Sequence, residues 1–206
     1  MLVKICGMTS QASADLCQQD GVKMLGFIFH PSSPRNIEPP QARSIQTSGV
    51  LRVGVFVRQS AEDILRIMDK ARLDIAQLAG NFDEELCVRI GAERVMPVFR
   101  PEAHSTRQSL EQGLARYSAL MRYALLDAGS IGGGHGRALN FSQLQGLISP
   151  VPWLLAGGLS PQNLGQALAE ARPAGLDLNS GLEAAPGRKD PTKVHEALSI
   201  IRALDE

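Results

Sequence analysis

The chain has 206 residues, and its 21 Lys+Arg balance 21 Asp+Glu to a formal net charge of zero. With 44 % apolar and 20 % charged residues, it has the composition of a folded globular protein, not a disordered one. Zero net charge argues against a partner held mainly by charge, such as nucleic acid or an anionic membrane, whereas a local cluster suffices for a small anion.

Short apolar runs alternate with longer amphipathic stretches along the whole chain. Strands are predicted over residues 2–6, 24–29, 51–57, 73–78, 94–99, 123–127, 152–156 and 175–178. Helices are predicted between and after them, over 10–20, 39–47, 61–71, 83–91, 107–118, 141–148, 161–171 and 191–204. Ser60-Ala61-Glu62-Asp63 resembles a capping box with Asp in place of Glu. Ser160-Pro161 and Asp190-Pro191 each place an N-cap side chain before a proline at the first helical position. Strand–helix alternation implies parallel strands joined by helical crossovers. An open doubly wound sheet shows the same alternation. Eight units of about 26 residues favour a closed α/β architecture, the (β/α)₈ TIM barrel near its minimum size, with residues 1–206 as a single domain.

A barrel places its site where strands end and the following loops begin. In the first strand, period-two alternation turns Val3 and Ile5 toward the helices and Lys4 and Cys6 inward, with Cys6 nearer the mouth. Cys6 reads either as a small core residue or as a reactive group, and Lys4 needs a buried partner. After the second strand, His30-Pro31-Ser32-Ser33-Pro34-Arg35 forms a loop stiffened by proline. Arg35 there is either a solvated surface residue or a planar fork for a carboxylate. Asp127 closes the sixth strand and is followed by Gly132-Gly133-Gly134-His135-Gly136, a loop whose backbone N–H groups can approach a ligand. Asp127 either caps the turn or faces the same mouth as Cys6, where one carboxyl and one thiol can act as acid and base. Gly157 and Gly158 end the seventh strand, and Ser180 and Gly181 follow Asp177 of the eighth. The loops after strands 7 and 8 are the usual phosphate site of a barrel, because unpaired N–H groups there attract an anion.

The cysteines Cys6, Cys17 and Cys87 form no CxxC pair and are odd in number, which points to a reducing cytoplasm rather than a disulfide framework. No histidine has metal-ligand spacing, and no apolar run approaches a membrane span. The N-terminus lacks a signal-peptide layout.

At these positions the sequence resembles the phosphoribosylanthranilate isomerase family of tryptophan biosynthesis. The resemblance runs through Lys4-Ile5-Cys6-Gly7-Met8-Thr9, Gly26-Phe27-Ile28-Phe29 with Ser33-Pro34-Arg35, and Val53-Gly54-Val55-Phe56-Val57. It continues through Leu126-Asp127-Ala128, Leu155-Ala156-Gly157-Gly158-Leu159-Ser160-Pro161, Asp177 to Glu183, and Pro186-Gly187-Arg188-Lys189-Asp190-Pro191. It implies a cofactor-free Amadori rearrangement of N-(5′-phosphoribosyl)anthranilate, a phosphosugar–anthranilate substrate. Asp127 would be the general acid and Cys6 the general base. Arg35 would hold the anthranilate carboxylate, and the loops after strands 7 and 8 the phosphate. The base needs a lowered pKa, for which Lys4 is a source of positive charge. Lys4 is also expected among the substrate-binding residues, and Asp177 as an accessory group. The chain is read as monofunctional, with neither monomer nor homodimer preferred.

Two departures stand out. The family's Gln-Leu-His-Gly at the end of strand 4 is here Gln77-Leu78-Ala79-Gly80, so an imidazole is missing from the mouth. The family's Gly-Gly-Thr-Gly and Asp-Trp after strand 6 are here Gly133-Gly134-His135-Gly136 and Asn140-Phe141. His135 is either an exposed loop residue or a partial replacement for that imidazole. Competing readings are another phosphosugar isomerase on the same scaffold and a non-catalytic or altered-specificity phosphosugar-binding barrel.

Overall fold

The computed structural model describes residues 1–128 and 141–205. Eight parallel strands form a closed barrel in chain order. They are β1 (Leu2–Ile5), β2 (Val22–Ile28), β3 (Leu51–Phe56), β4 (Ile75–Leu78), β5 (Val95–Phe99), β6 (Ala124–Asp127), β7 (Trp153–Ala156) and β8 (Gly175–Leu178). The pairing that separates a barrel from an open sheet is β1 with β8, in register from Leu2↔Gly175 to Ile5↔Leu178. The helices are α1 (Gln11–Cys17), α2 (Pro39–Ser44), α3 (Ala61–Ala71), α4 (Glu84–Ile90), α5 (Arg107–Tyr117), α6 (Leu164–Ala171) and α7 (Pro191–Asp205). Two short strands after β8, β9 (Glu183–Ala185) and β10 (Arg188–Lys189), pair as an antiparallel hairpin.

The sheet's two faces bury different layers. Val3, Ile5, Leu25, Phe27 and Leu155 join the helices' apolar stripes in the outer core. Met24, Val53, Ile75, Met96, Leu125 and Leu154 fill the barrel interior. This is the packed-core arrangement that period-two alternation in a closed sheet requires.

Helix starts follow their caps. The Asp190 carboxylate accepts the N–H groups of Thr192 and Lys193 before Pro191 opens α7. The Ser60 hydroxyl accepts the Asp63 N–H at α3, and the Asp63 carboxylate takes the Ser60 hydroxyl rather than its N–H, leaving half a capping box. Two expectations are corrected. Residues 161–163 form a turn and α6 begins only at Leu164, because the Asn163 side chain folds back onto the Ser160 N–H and the Gly158 carbonyl. Ser160 and Pro161 therefore do not open the helix. In place of a helix over 141–148 stands a 3₁₀ turn, Phe141–Leu144. Gly146 at φ 71° and the Ser149-Pro150 step stop it from propagating.

Candidate active site

The inward rows continue past the strand ends and line a cavity of about 600 Å³ at the C-terminal mouth. Cys6 of the first row, Gln77, Arg100, Asp127 and Asp177 all line it, so the inward direction read for Cys6 is its direction in the fold. The volume lies within the range of small-molecule sites.

Cys6 follows β1 and is only 4 % exposed. Its thiol fits because the neighbouring residue on β2 is glycine: a Cβ at Gly26 would stand 2.5 Å from the Cys6 Sγ. Burial pushes the Cys6 pKa up; the Lys4 ammonium pulls it back, and the net direction is up. The expected lowering is thus corrected: the favourable charge is present, but desolvation outweighs it.

Lys4 does not line the cavity. It is fully buried, and its Nζ donates to Asp177 Oδ1 at 2.8 Å. Burial pulls the Lys4 pKa down, but Asp177 and Cys6 beside it outweigh this and hold it above the ordinary lysine value. This places Lys4 behind the cavity wall, whereas the sequence reading expected it among the substrate-binding residues. Its ammonium lies beneath the cavity, where it neutralises Asp177 and acts on Cys6.

Asp127 ends β6, opposite Ala156 in register, and lines the same cavity. His135 and the rest of the glycine-rich loop, 129–140, lie outside the described residues. Gly157, Gly158 and Ser180 line the cavity on the β7–β8 side, with Gly157 and Gly158 at φ 105° and 62°. Gly181 has a different task. A Cβ there would stand 2.0 Å from the Leu159 carbonyl oxygen, so glycine lets the loops after β7 and β8 close on each other.

Arg35 is held from the side. Its Nε and Nη2 donate to both oxygens of Glu183, the Nη2 bond being 2.6 Å. Lys189 donates to Glu183 and to Asn179, each at 3.0 Å. Burial opposes the Glu183 carboxylate's charge, yet Arg35 and Lys189 overcome it and hold its pKa below the ordinary range. This network ties the loop after β2 to the hairpin after β8. Nη1 of Arg35 is left outside the bonds to Glu183.

Three lining residues carry chemistry that the sequence reading did not assign. Gln77 is 6 % exposed, and its Oε1 is buried with no partner among the described residues. Arg100 follows β5 and donates from Nη2 to the Ala79 carbonyl at 3.0 Å. Asn179 lines the mouth between Asp177 and Ser180. The signal was available for Arg100: Met96, Val98 and Arg100 share one parity, the rule that turned Lys4 and Cys6 inward.

The family model for N-(5′-phosphoribosyl)anthranilate isomerase matches residues 3–199. A curated relative of that name from Maridesulfovibrio salexigens is 48 % identical over 201 residues, covering 98 % of each chain. The chain belongs to the phosphoribosylanthranilate isomerase family. Among solved structures, the phosphoribosylanthranilate isomerase from Thermus thermophilus is 35 % identical, with a TM-score of 0.85 over 99 % of this chain and 100 % of that one. Another isomerase of this family, in complex with reduced 1-(o-carboxyphenylamino)-1-deoxyribulose 5-phosphate, is 32 % identical, with a TM-score of 0.81 over 98 % and 100 % of the two chains. Against the isomerase motif at the end of β4, the departure sits in the cavity wall itself: Ala79 lines it, and Arg100 is anchored on Ala79's carbonyl.

Proposed function

We propose that this cavity isomerises N-(5′-phosphoribosyl)anthranilate by an Amadori rearrangement in tryptophan biosynthesis, with Asp127 as acid and Cys6 as base. The observation that carries the reading is one cavity lined by Cys6 of the first strand's row, Asp127 of β6 and the glycine and serine loops after β7 and β8. The phosphate lies against the backbone N–H groups of Gly157, Gly158 and Ser180, with Gly181 holding that loop in place. Asp127 protonates the furanose ring oxygen. The C1′–O bond breaks and the amine lone pair forms a protonated Schiff base. The Cys6 thiolate then removes the proton from C2′, and the electron pair moves into the enolamine. A proton returns to C1′ while the C2′ hydroxyl gives up its own, and the C2′–O electron pair closes the ketone.

The cationic Schiff base is formed beside a thiol that burial has kept protonated, and its charge favours the thiolate at the step that needs it. Asp177, neutralised by Lys4, stiffens the floor under Cys6. The free edge of Arg35, Nη1, takes the anthranilate carboxylate, as the family resemblance implies. Three free cysteines suit a reducing cytoplasm.

The test is turnover followed by the fall in anthranilate-type fluorescence. Cys6→Ser and Asp127→Asn are each expected to lose at least ~10²-fold in kcat with the fold intact by circular dichroism. Near-parental rates in both variants would sink the assignment. Binding without turnover by the parent chain would point instead to a non-catalytic phosphosugar-binding barrel.

A further inference from the structure

We propose that Gln77 is a further catalytic residue, whose amide oxygen accepts a hydrogen bond from the N–H of the protonated Schiff base; this rests on the isomerase reading above. Gln77 stands on the inward row of β4 and lines the cavity. Its register partners are Val55 on β3 and Met96 on β5, and Ile75 precedes it on the same row. Apolar side chains thus frame a single amide. Gln77 is 6 % exposed, and its Oε1 has no hydrogen-bond partner among the described residues. A buried acceptor left unpaired costs stability, and packing alone is better served there by an apolar residue. In a cavity wall, such an acceptor marks the place of a ligand's donor.

The substrate has few donors to offer. Its phosphate and carboxylate only accept, which leaves the sugar hydroxyls and the amine N–H. Barrel order chooses between them. The strands close in sequence from β1 to β8, which puts β3 and β4 across the barrel from β7 and β8. With the phosphate on the β7–β8 loops, the sugar lies nearer those loops and the aromatic amine reaches β3 and β4. Val55, Ala79 and Val98 form an apolar wall there that suits the face of the ring. Gln77 lies two residues before Ala79 on one row, about 7 Å deeper along the strand. A ring on that wall turns its link to the sugar toward Gln77, and that link is the amine nitrogen.

The reaction changes the charge on this nitrogen. In the substrate it is a neutral arylamine. When the C1′–O bond breaks, its lone pair moves toward C1′ and it becomes cationic with its N–H intact. Loss of the C2′ proton returns it to neutrality in the enolamine. A charged donor makes a hydrogen bond roughly twice as strong as a neutral one, so Gln77 binds the Schiff base more tightly than the substrate. Interactions that strengthen along the reaction lower its barrier. The amide is uncharged, so it favours the cation without adding a third carboxylate to Asp127 and Asp177 in the wall.

The experiment uses Gln77→Met, which keeps the length of the side chain and removes the acceptor. Its kcat is expected to fall about 10- to 100-fold while KM changes less than about 3-fold. Urea unfolding of the same variant is expected to show no loss of stability, which separates this result from a damaged fold. A second measurement is calorimetric binding of the reduced carboxyphenylamino-deoxyribulose phosphate against an ether counterpart with oxygen in place of its N–H. The parent is expected to favour the amine about 10-fold, and Gln77→Met to abolish that preference. A preference that Gln77→Met leaves intact, or a parent that shows none, would overturn the inference, even with kcat reduced, and would assign the amide to a sugar hydroxyl. A parent without turnover overturns the isomerase reading. A parent that turns over and a Gln77→Met variant that matches it overturn only the role of Gln77.

Discussion

Cys6 must lose a proton that its surroundings help it keep. Burial raises the thiol's pKa, and the Lys4 ammonium opposes that shift. For an enzyme that needs the thiolate, the rising limb of kcat/KM in the free protein is expected above the ordinary thiol pKa of about 8.5. Lys4→Met removes the charge that favours the thiolate and leaves Asp177, whose carboxylate favours the thiol. The limb should therefore move to still higher pH, with at least a ~10-fold loss at neutral pH. An unmoved limb would show that Lys4 does not act on Cys6. Gln77 poses the opposite problem, a buried oxygen without a partner among the described residues. Gln77→Met keeps the shape and removes the orphan, so urea unfolding is expected to show unchanged or increased stability, by up to ~1 kcal/mol. A clear loss of stability would mean that water satisfies the oxygen.

Among the elements, β3 depends on a side chain that points away from the cavity. Arg52 lies on the outer face of β3, its guanidinium 4.4 Å from the centre of the Phe27 ring. It donates to the carbonyls of Ala42, Ile45, Ala71 and Arg72. These are groups at the C-terminal ends of α2 and α3, where helices run out of internal partners. Arg52→Met strands several buried carbonyls at once and is expected to cost about 2–4 kcal/mol in urea unfolding. A change under ~0.5 kcal/mol would mean that water replaces the guanidinium at both helix ends. The same logic links the site's own elements. Glu183 of β9 and Lys189 of β10 hold Arg35 in the loop after β2, so the hairpin positions a residue from the opposite end of the chain.

Over the whole molecule, the charges sum to zero. A substrate carrying a phosphate and a carboxylate then meets no long-range attraction, and its binding rests on local donors. Between low and physiological salt, kcat/KM is expected to fall by less than about 10-fold, far from the steep decline of steered association. A steeper fall would reveal a concentrated positive field at the mouth. The closed barrel makes those local donors effective: residues from all eight strands or the loops after them line one cavity, and none of them is near most of the others in sequence.

The sequence by itself determined the barrel and the direction of its key side chains. Side-chain alternation along a strand is a local property, so Lys4 and Cys6 could be turned inward from spacing alone, and Asp127 was placed at the mouth by the strand end it closes and the glycines that follow. Ordered motifs placed the chain in its family without coordinates. Only the tertiary structure decided who pairs with whom. Lys4 meets Asp177, 173 residues away, because β1 closes on β8. Arg35 meets Glu183 and Arg100 meets the Ala79 carbonyl because loops from different strands converge on one mouth. Burial then reversed an expectation drawn from charge, raising the Cys6 pKa despite the lysine beneath it. Desolvation depends on everything that packs around a group, and no local pattern in the chain encodes that sum.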